Sequence, residues 1–252
     1  MTPEAVRFCG VIPSVKTPFS SEGTVLYEVL EENLGKYFKT AAAGCLLLGS
    51  NGEAPHLNLF EKLEIVRRAS AIIPADRYSL VGVDSSTLVE ASDFLDEIEG
   101  FRIDAVLISV PSYYKEQMNE EALCRYCIEV ASRSAFPVLL YNIPQFTGIE
   151  IPPQLVGKLA THHNIVGMKD YQARVDIGNR HVQLAQISRC VTHNDGIPEL
   201  KYAMDLLGFE GGQSRLALLP IGPDQRVDSE RVFGPFLSPG YAWSGQGIEL
   251  ST

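Results

Sequence analysis

Cysteine, histidine and cationic side chains are scarce in this chain, and each scarcity removes a class of function. There are five cysteines in 252 residues. An odd number spread through the chain is not a disulfide scaffold and fits a reducing compartment. The five histidines, His56, His162, His163, His181 and His193, form no metal-binding pattern, so no metal is expected. Lys and Arg total 21 against 31 Asp and Glu, for a net charge of -10. Nucleic acid is therefore excluded as a partner, because phosphate binding needs a basic face. An anionic small molecule is not excluded, since a local site can be positive on an acidic protein. No apolar run approaches a membrane span, which needs ~20 residues. Met1-Thr2-Pro3-Glu4 lacks the basic-then-apolar order of a signal peptide. A cytoplasmic location is expected, with a mitochondrial one left open. The G-x-G-x-x-G turn of a dinucleotide fold is missing too, and no organic cofactor is expected.

What remains is a chain able to build a core, with 45% hydrophobic and 21% charged residues. Short apolar runs alternate with amphipathic ones. Phe8–Val15, Gly44–Leu48, Tyr78–Val83, Ala105–Val110, Pro137–Tyr141 and Ile165–Lys169 read as strands. Leu26–Lys39, Leu59–Ile73, Ser86–Ile98, Glu120–Ala131 and Pro152–Ala160 read as helices, with Asn58 capping the second. Continuous apolar strands alternating with helices predict a parallel sheet covered on both faces. The fold class is α/β, either an incomplete (β/α) barrel or a doubly wound sheet. Residues 1–190 form this region. Residues 191–219 form a C-terminal helical segment, with a helix over Pro198–Leu207 ending at Gly208. Residues 220–252, rich in Gly, Pro and Ser, read as an irregular tail.

Several polar residues fall at predicted strand ends, where a barrel keeps its chemistry. Lys169 closes Asn164-Ile165-Val166-Gly167-Met168-Lys169-Asp170. Desolvation at such a strand end lowers an amine's pKa and frees it as a nucleophile for a carbonyl. On the lysine alone, snorkelling into solvent is the simpler reading. Gly49-Ser50-Asn51-Gly52-Glu53 can turn tightly and offer backbone N–H groups to a carboxylate, or serve as an ordinary turn. Tyr141 can relay a proton or sit in the core with its hydroxyl bonded to backbone. Tyr113 and Tyr114 suit a substrate contact or an aromatic interface. Cys124-x-x-Cys127 has no second pair, and helical core packing accounts for it.

Together the motifs are more specific. GVIPSVKTPF, GSNGE, VPSYY, YNIP-x-x-TG and GMKD, in this order and spacing over residues 8–171, resemble the dihydrodipicolinate synthase / N-acetylneuraminate lyase family. GIPELKYAMDLLG and GGQSRLALLP resemble its C-terminal helical region. The resemblance implies a TIM (β/α)8-type barrel and a pyruvate-dependent class I aldolase or lyase, usually a homotetramer. It implies Lys169 as the Schiff-base residue, Tyr141 as the proton shuttle, and Ser50, Asn51 and Gly52 at the substrate carboxylate, with Ser50 completing the relay. Tyr113 matches a tyrosine that reaches a neighbouring subunit's site, with Tyr114 as second choice.

Within the family, dihydrodipicolinate synthases resemble YNVPxRTG, whose arginine holds the second substrate's carboxylate. Phe146 stands there and cannot pair with a carboxylate. GSNGE and GMKD look closer to the 4-hydroxy-2-oxoglutarate aldolase branch. That branch has a small polar residue where this chain has Tyr171. A second departure is length. Only residues 170–195 separate Lys169 from the C-terminal motif, where the family has two further β-α units. The barrel is expected to be truncated to six units plus C-terminal helices. Three readings follow: an aldolase cleaving a 4-hydroxy-2-oxoglutarate-like acid to pyruvate and an aldehyde, a 4-hydroxy-tetrahydrodipicolinate synthase-type condensation, or an inactive truncated relative.

Overall fold

The computed structural model describes residues 8–170 and 196–234. Five parallel strands make one sheet in chain order: β1 (Gly44–Leu47), β2 (Tyr78–Val83), β3 (Ala105–Ser109), β4 (Val138–Asn142) and β5 (Ile165–Asp170). α1 (Tyr27–Phe38) precedes β1, and between the strands run α2 (Leu59–Ile72), α3 (Leu88–Ile98), α4 (Glu120–Arg133), the short α5 (Pro144–Thr147) and α6 (Pro153–Leu159). The C-terminal region supplies α7 (Gly196–Leu206) and α8 (Pro223–Phe233). This is the parallel α/β architecture that the alternating pattern predicts, of the TIM-barrel type that the family resemblance implies.

Side-chain alternation divides the sheet. Cys45, Leu47, Val81, Val83, Val106, Ile108, Val138 and Leu140 pack outward beneath the helices in the main core. Leu46, Leu80, Ala105, Leu107 and Tyr141 form a second, interior cluster, with Ile12 packed against it. Burial on both faces is why these strands read as unbroken apolar runs. Three helices, α2, α3 and α4, start at side-chain caps. Asn58 and Glu61 form a reciprocal capping box at α2, while Thr87 and Asn119 accept from Glu90 N and Ala122 N.

Three expectations need correction. Phe8–Val15 is not a full strand. It runs parallel to β1, with Ala43 N, Leu46 N and Val15 N bonded to Val11 O, Pro13 O and Leu46 O, yet only Ser14 and Leu46 form a bridge. Pro13 has no N–H to donate, and Gly10 lies at a positive φ of 94°. β5 is half-buried, not a buried strand: Ile165 alone is buried, because β4 is its only strand neighbour among the described residues. The expected tail contains α8. Its Pro223 occupies the first turn, Gln225 accepts from Gly222 N at 2.5 Å, and Ser229 donates to Glu199 of α7 at 2.9 Å. Apart from Phe233, α8 buries little apolar surface, so its hydrophobic signal is weak. The segment expected to be polar and partly helical over 170–190, with Tyr171 and His181, lies outside the described residues beyond Asp170, as do His193 and the tail after Gly234.

Candidate active site

The site is built where three strand ends meet. β4 and β5 pair in register with Tyr141 opposite Lys169 and Leu139 opposite Gly167. Tyr141 belongs to the interior cluster, so the pairing brings Lys169 to the same face. Lys169 Nζ lies 3.2 Å from Tyr141 Oη and 4.3 Å from the ring centroid. Tyr141 Oη in turn lies 3.3 Å from Ser50 Oγ. Amine, phenol and hydroxyl thus form a continuous chain across the interior.

Lys169 has no carboxylate partner among the described residues. Burial disfavours its charged form and moves its pKa below an ordinary lysine's. The free amine that a carbonyl needs is thereby more available at neutral pH. Tyr141 is buried, with 6% of its surface exposed. A cleft of about 560 Å³ opens beside it, walled by Ser50, Tyr141, Ser109, Asp84, Phe146 and Thr147 among others. Lys169 is not in that wall and meets the cleft through the tyrosine hydroxyl.

The Gly49–Glu53 turn explains its glycines. Ser50–Gly52 is one turn of 3-10 helix, closed by Gly52 N to Gly49 O and Glu53 N to Ser50 O. A Cβ on Gly49 would stand 2.7 Å from Ser14 Oγ, and one on Gly52 2.8 Å from Val15 O. Only glycine lets the turn lie this close to the edge segment. Gly52 O accepts from the buried Thr17 hydroxyl at 2.6 Å. Asn51 is half-buried and is not in the cleft wall. Tyr113 stands apart from the Lys169–Tyr141–Ser50 chain: it is 81% exposed, packed edge-to-face on Tyr114 with centroids 5.0 Å apart. Phe146, 57% exposed, puts a neutral ring on the cleft wall.

Sequence reasoning assigns no role of their own to three charged residues here. Lys16 is buried on the edge segment, with Nζ donating to Ser14 O at 2.9 Å. Burial, then the like charges of Lys169 and Lys201, push its pKa down to about 7. Glu53 is fully buried at the end of the turn, in a left-handed conformation with φ 55°. Lys201 of α7 reaches its Oε1 at 2.6 Å. The signals were present: a lysine inside the apolar Val15–Phe19 run, and a glutamate closing a glycine-rich turn. Cys127, by contrast, is the packed side chain expected, its thiol pushed up to about 12 by burial. No helix among the described residues is long and apolar enough to cross a membrane, and no cluster there suits a metal ion.

Fold and site together define a parallel α/β barrel-type protein with a desolvated lysine at a strand end. Residues 7–217 match the model of the Dihydrodipicolinate synthetase family. The chain belongs to that family. It is 28% identical over 170 residues to a 4-hydroxy-tetrahydrodipicolinate synthase of Streptococcus uberis, covering 68% of this chain and 55% of the relative. It is 30% identical over 189 residues to a 4-hydroxy-tetrahydrodipicolinate synthase of Leptospira biflexa, covering 75% and 61%. The chain thus spans little more than half the length of these relatives. Among solved structures, YagE of E. coli K12 in complex with pyruvate superposes with a TM-score of 0.82 at 20% identity, covering 91% of this chain and 99% of that one. Dihydrodipicolinate synthase of Aquifex aeolicus gives 0.80 at 20% identity, covering 91% and 98%. These likenesses show the fold.

Proposed function

We propose that this chain is a Schiff-base-forming aldolase of pyruvate-type 2-oxo acids that cleaves a 4-hydroxy-2-oxoglutarate-like acid. The observation that carries the reading is the Lys169–Tyr141–Ser50 chain, with spacings of 3.2 and 3.3 Å. The Lys169 amine attacks the ketone carbon, and Tyr141 passes a proton to the carbonyl oxygen, which leaves as water. The imine nitrogen then carries a positive charge. The Tyr141 phenolate left by that transfer takes the proton of the 4-hydroxyl, and the bond between carbons 3 and 4 breaks. Its electron pair flows into the imine, an aldehyde departs, and an enamine remains. Protonation of the enamine carbon and hydrolysis of the imine release pyruvate and restore the amine. The Ser50 hydroxyl holds the substrate carboxylate in this reading, with Asn51 and Gly52 beside it, the Gly52 N–H being spent on Gly49 O. In this reading Tyr113 serves a neighbouring copy in a homo-oligomer, which fits its exposure.

A synthase-type condensation is the second reading, favoured by the names of the relatives from Streptococcus uberis and Leptospira biflexa. Phe146 counts against it, because a phenyl ring offers a carboxylate neither charge nor hydrogen bond.

Intact-mass measurement after incubation with pyruvate and borohydride tests the chemistry shared by both readings. A reduced adduct that maps to Lys169 and is lost in Lys169→Ala supports it. A folded protein that gives no adduct overturns it and leaves the truncated chain inactive. Release of pyruvate from 4-hydroxy-2-oxoglutarate, against consumption of aspartate semialdehyde with pyruvate, then separates the two.

A further inference from the structure

The turn that carries Ser50 is held from the far end of the chain. Glu53 ends it, and its side chain is fully buried. Lys201 Nζ pairs with Glu53 Oε1 at 2.6 Å and also donates to Thr17 O at 2.8 Å and Gln213 O at 2.6 Å. Glu53 Oε2 accepts from Arg215 N and lies 3.0 Å from His56 Nδ1. The Arg215 guanidinium grips Glu61 with two bonds of 2.8 and 2.7 Å and donates to His56 O and Gly23 O. Each charge here faces one of opposite sign, Lys201 with Glu53 and Arg215 with Glu61, so none is left uncompensated. A buried carboxylate cannot move away from its ammonium without leaving both uncompensated. That restraint falls on the residue whose N–H closes the turn on Ser50 O.

We propose that Glu53 is a positioning residue of the active site: clamped by Lys201 and Arg215, it fixes the turn that aims the Ser50 hydroxyl at Tyr141. The segment from α7 to Arg215 is then part of the catalytic apparatus. This rests on the aldolase reading for its chemical consequence, but not for the clamp itself.

Two measurements keep these apart. The first is hydrogen exchange of the Gly49–Leu57 amides in Glu53→Gln and Lys201→Met. Both variants are expected to exchange at least tenfold faster there than the native protein, with β2 and β3 unchanged. Native-like protection of the turn in both overturns the proposal, whether or not the protein reacts with pyruvate. If either single variant unfolds, Glu53→Gln/Lys201→Met, which buries no unpaired charge, takes its place. A native melt with a fast-exchanging turn supports the clamp, and a protected turn refutes it. The second measurement is a double-mutant cycle on the rate of pyruvate trapping. Glu53→Gln is expected to slow trapping about tenfold in the native background and less than twofold in Ser50→Ala. Equal losses in the two backgrounds would show that Glu53 does not act through Ser50.

Discussion

Lys16→Met is expected to stabilise the protein at neutral pH and below, an uncommon outcome for removal of a buried charge. Lys16 is 5% exposed, and no carboxylate pairs with it among the described residues. Its pKa falls from 10.5 to about 7 on folding, first through burial and then through Lys169 and Lys201. One pH unit of such a shift is worth about 1.4 kcal/mol. The charged form therefore costs the fold up to ~5 kcal/mol. Between pH 7 and 10.5 the unfolded chain holds this proton and the folded chain does not. Stability consequently rises with pH across that window through this group, and the full cost is present below pH 7. Methionine has a similar reach without the charge. It gives up the bond to Ser14 O, worth about 1 kcal/mol. A net gain of about 2 kcal/mol or more is expected at pH 6, fading towards pH 10. Urea unfolding of both proteins at pH 6, 7.5 and 9.5 measures it. A difference that does not change with pH, or a variant less stable at pH 6, would refute the reasoning.

Two further outcomes are expected. Tyr141→Phe keeps the ring that packs against Lys169 but removes the hydroxyl, so single-turnover imine formation should slow about 100-fold or more with little change in the melt. Gly82→Ala places a methyl group on the Leu48 carbonyl. Denaturant unfolding should show a loss of about 2–3 kcal/mol, the cost of overpacking where backbone cannot retreat.

The strands and helices of residues 26–170 were legible because their signals are local. Asn58 stands before an apolar stripe, and each strand is a short run bounded by turn residues. Periodicity overstates the edge segment, because it registers Ile12 and Val15 but not the donor that Pro13 lacks. α8 was missed because its stability comes from proline placement and from polar bonds to α7. In the candidate site, Lys169, Tyr141 and Ser50 could be named as strand-end residues, and the register of β4 with β5 brings the first two together. Tyr113 has no such contact within one chain. Glu53, Lys201 and Arg215 were passed over because each looks like a surface charge until the fold closes over it. Nothing in a window of neighbours links residue 53 to residue 201.

That link also sets an order of events during synthesis. Lys201 donates to Thr17 O across 184 residues, and Arg215 N to Glu53 across 162. Until those residues have left the ribosome, Glu53 lacks the Lys201 ammonium, and only His56 stands beside it, while a carboxylate enters an apolar environment at a cost unless it is paired. The strands from β1 to β5 can associate as they emerge, since each pairs with its predecessor. The turn beneath Ser50 is therefore expected to close after the strands pair. A nascent chain is thus expected to pair the strands from β1 to β5 before its candidate site is set, the turn closing only when the segment around Lys201 and Arg215 folds back onto it.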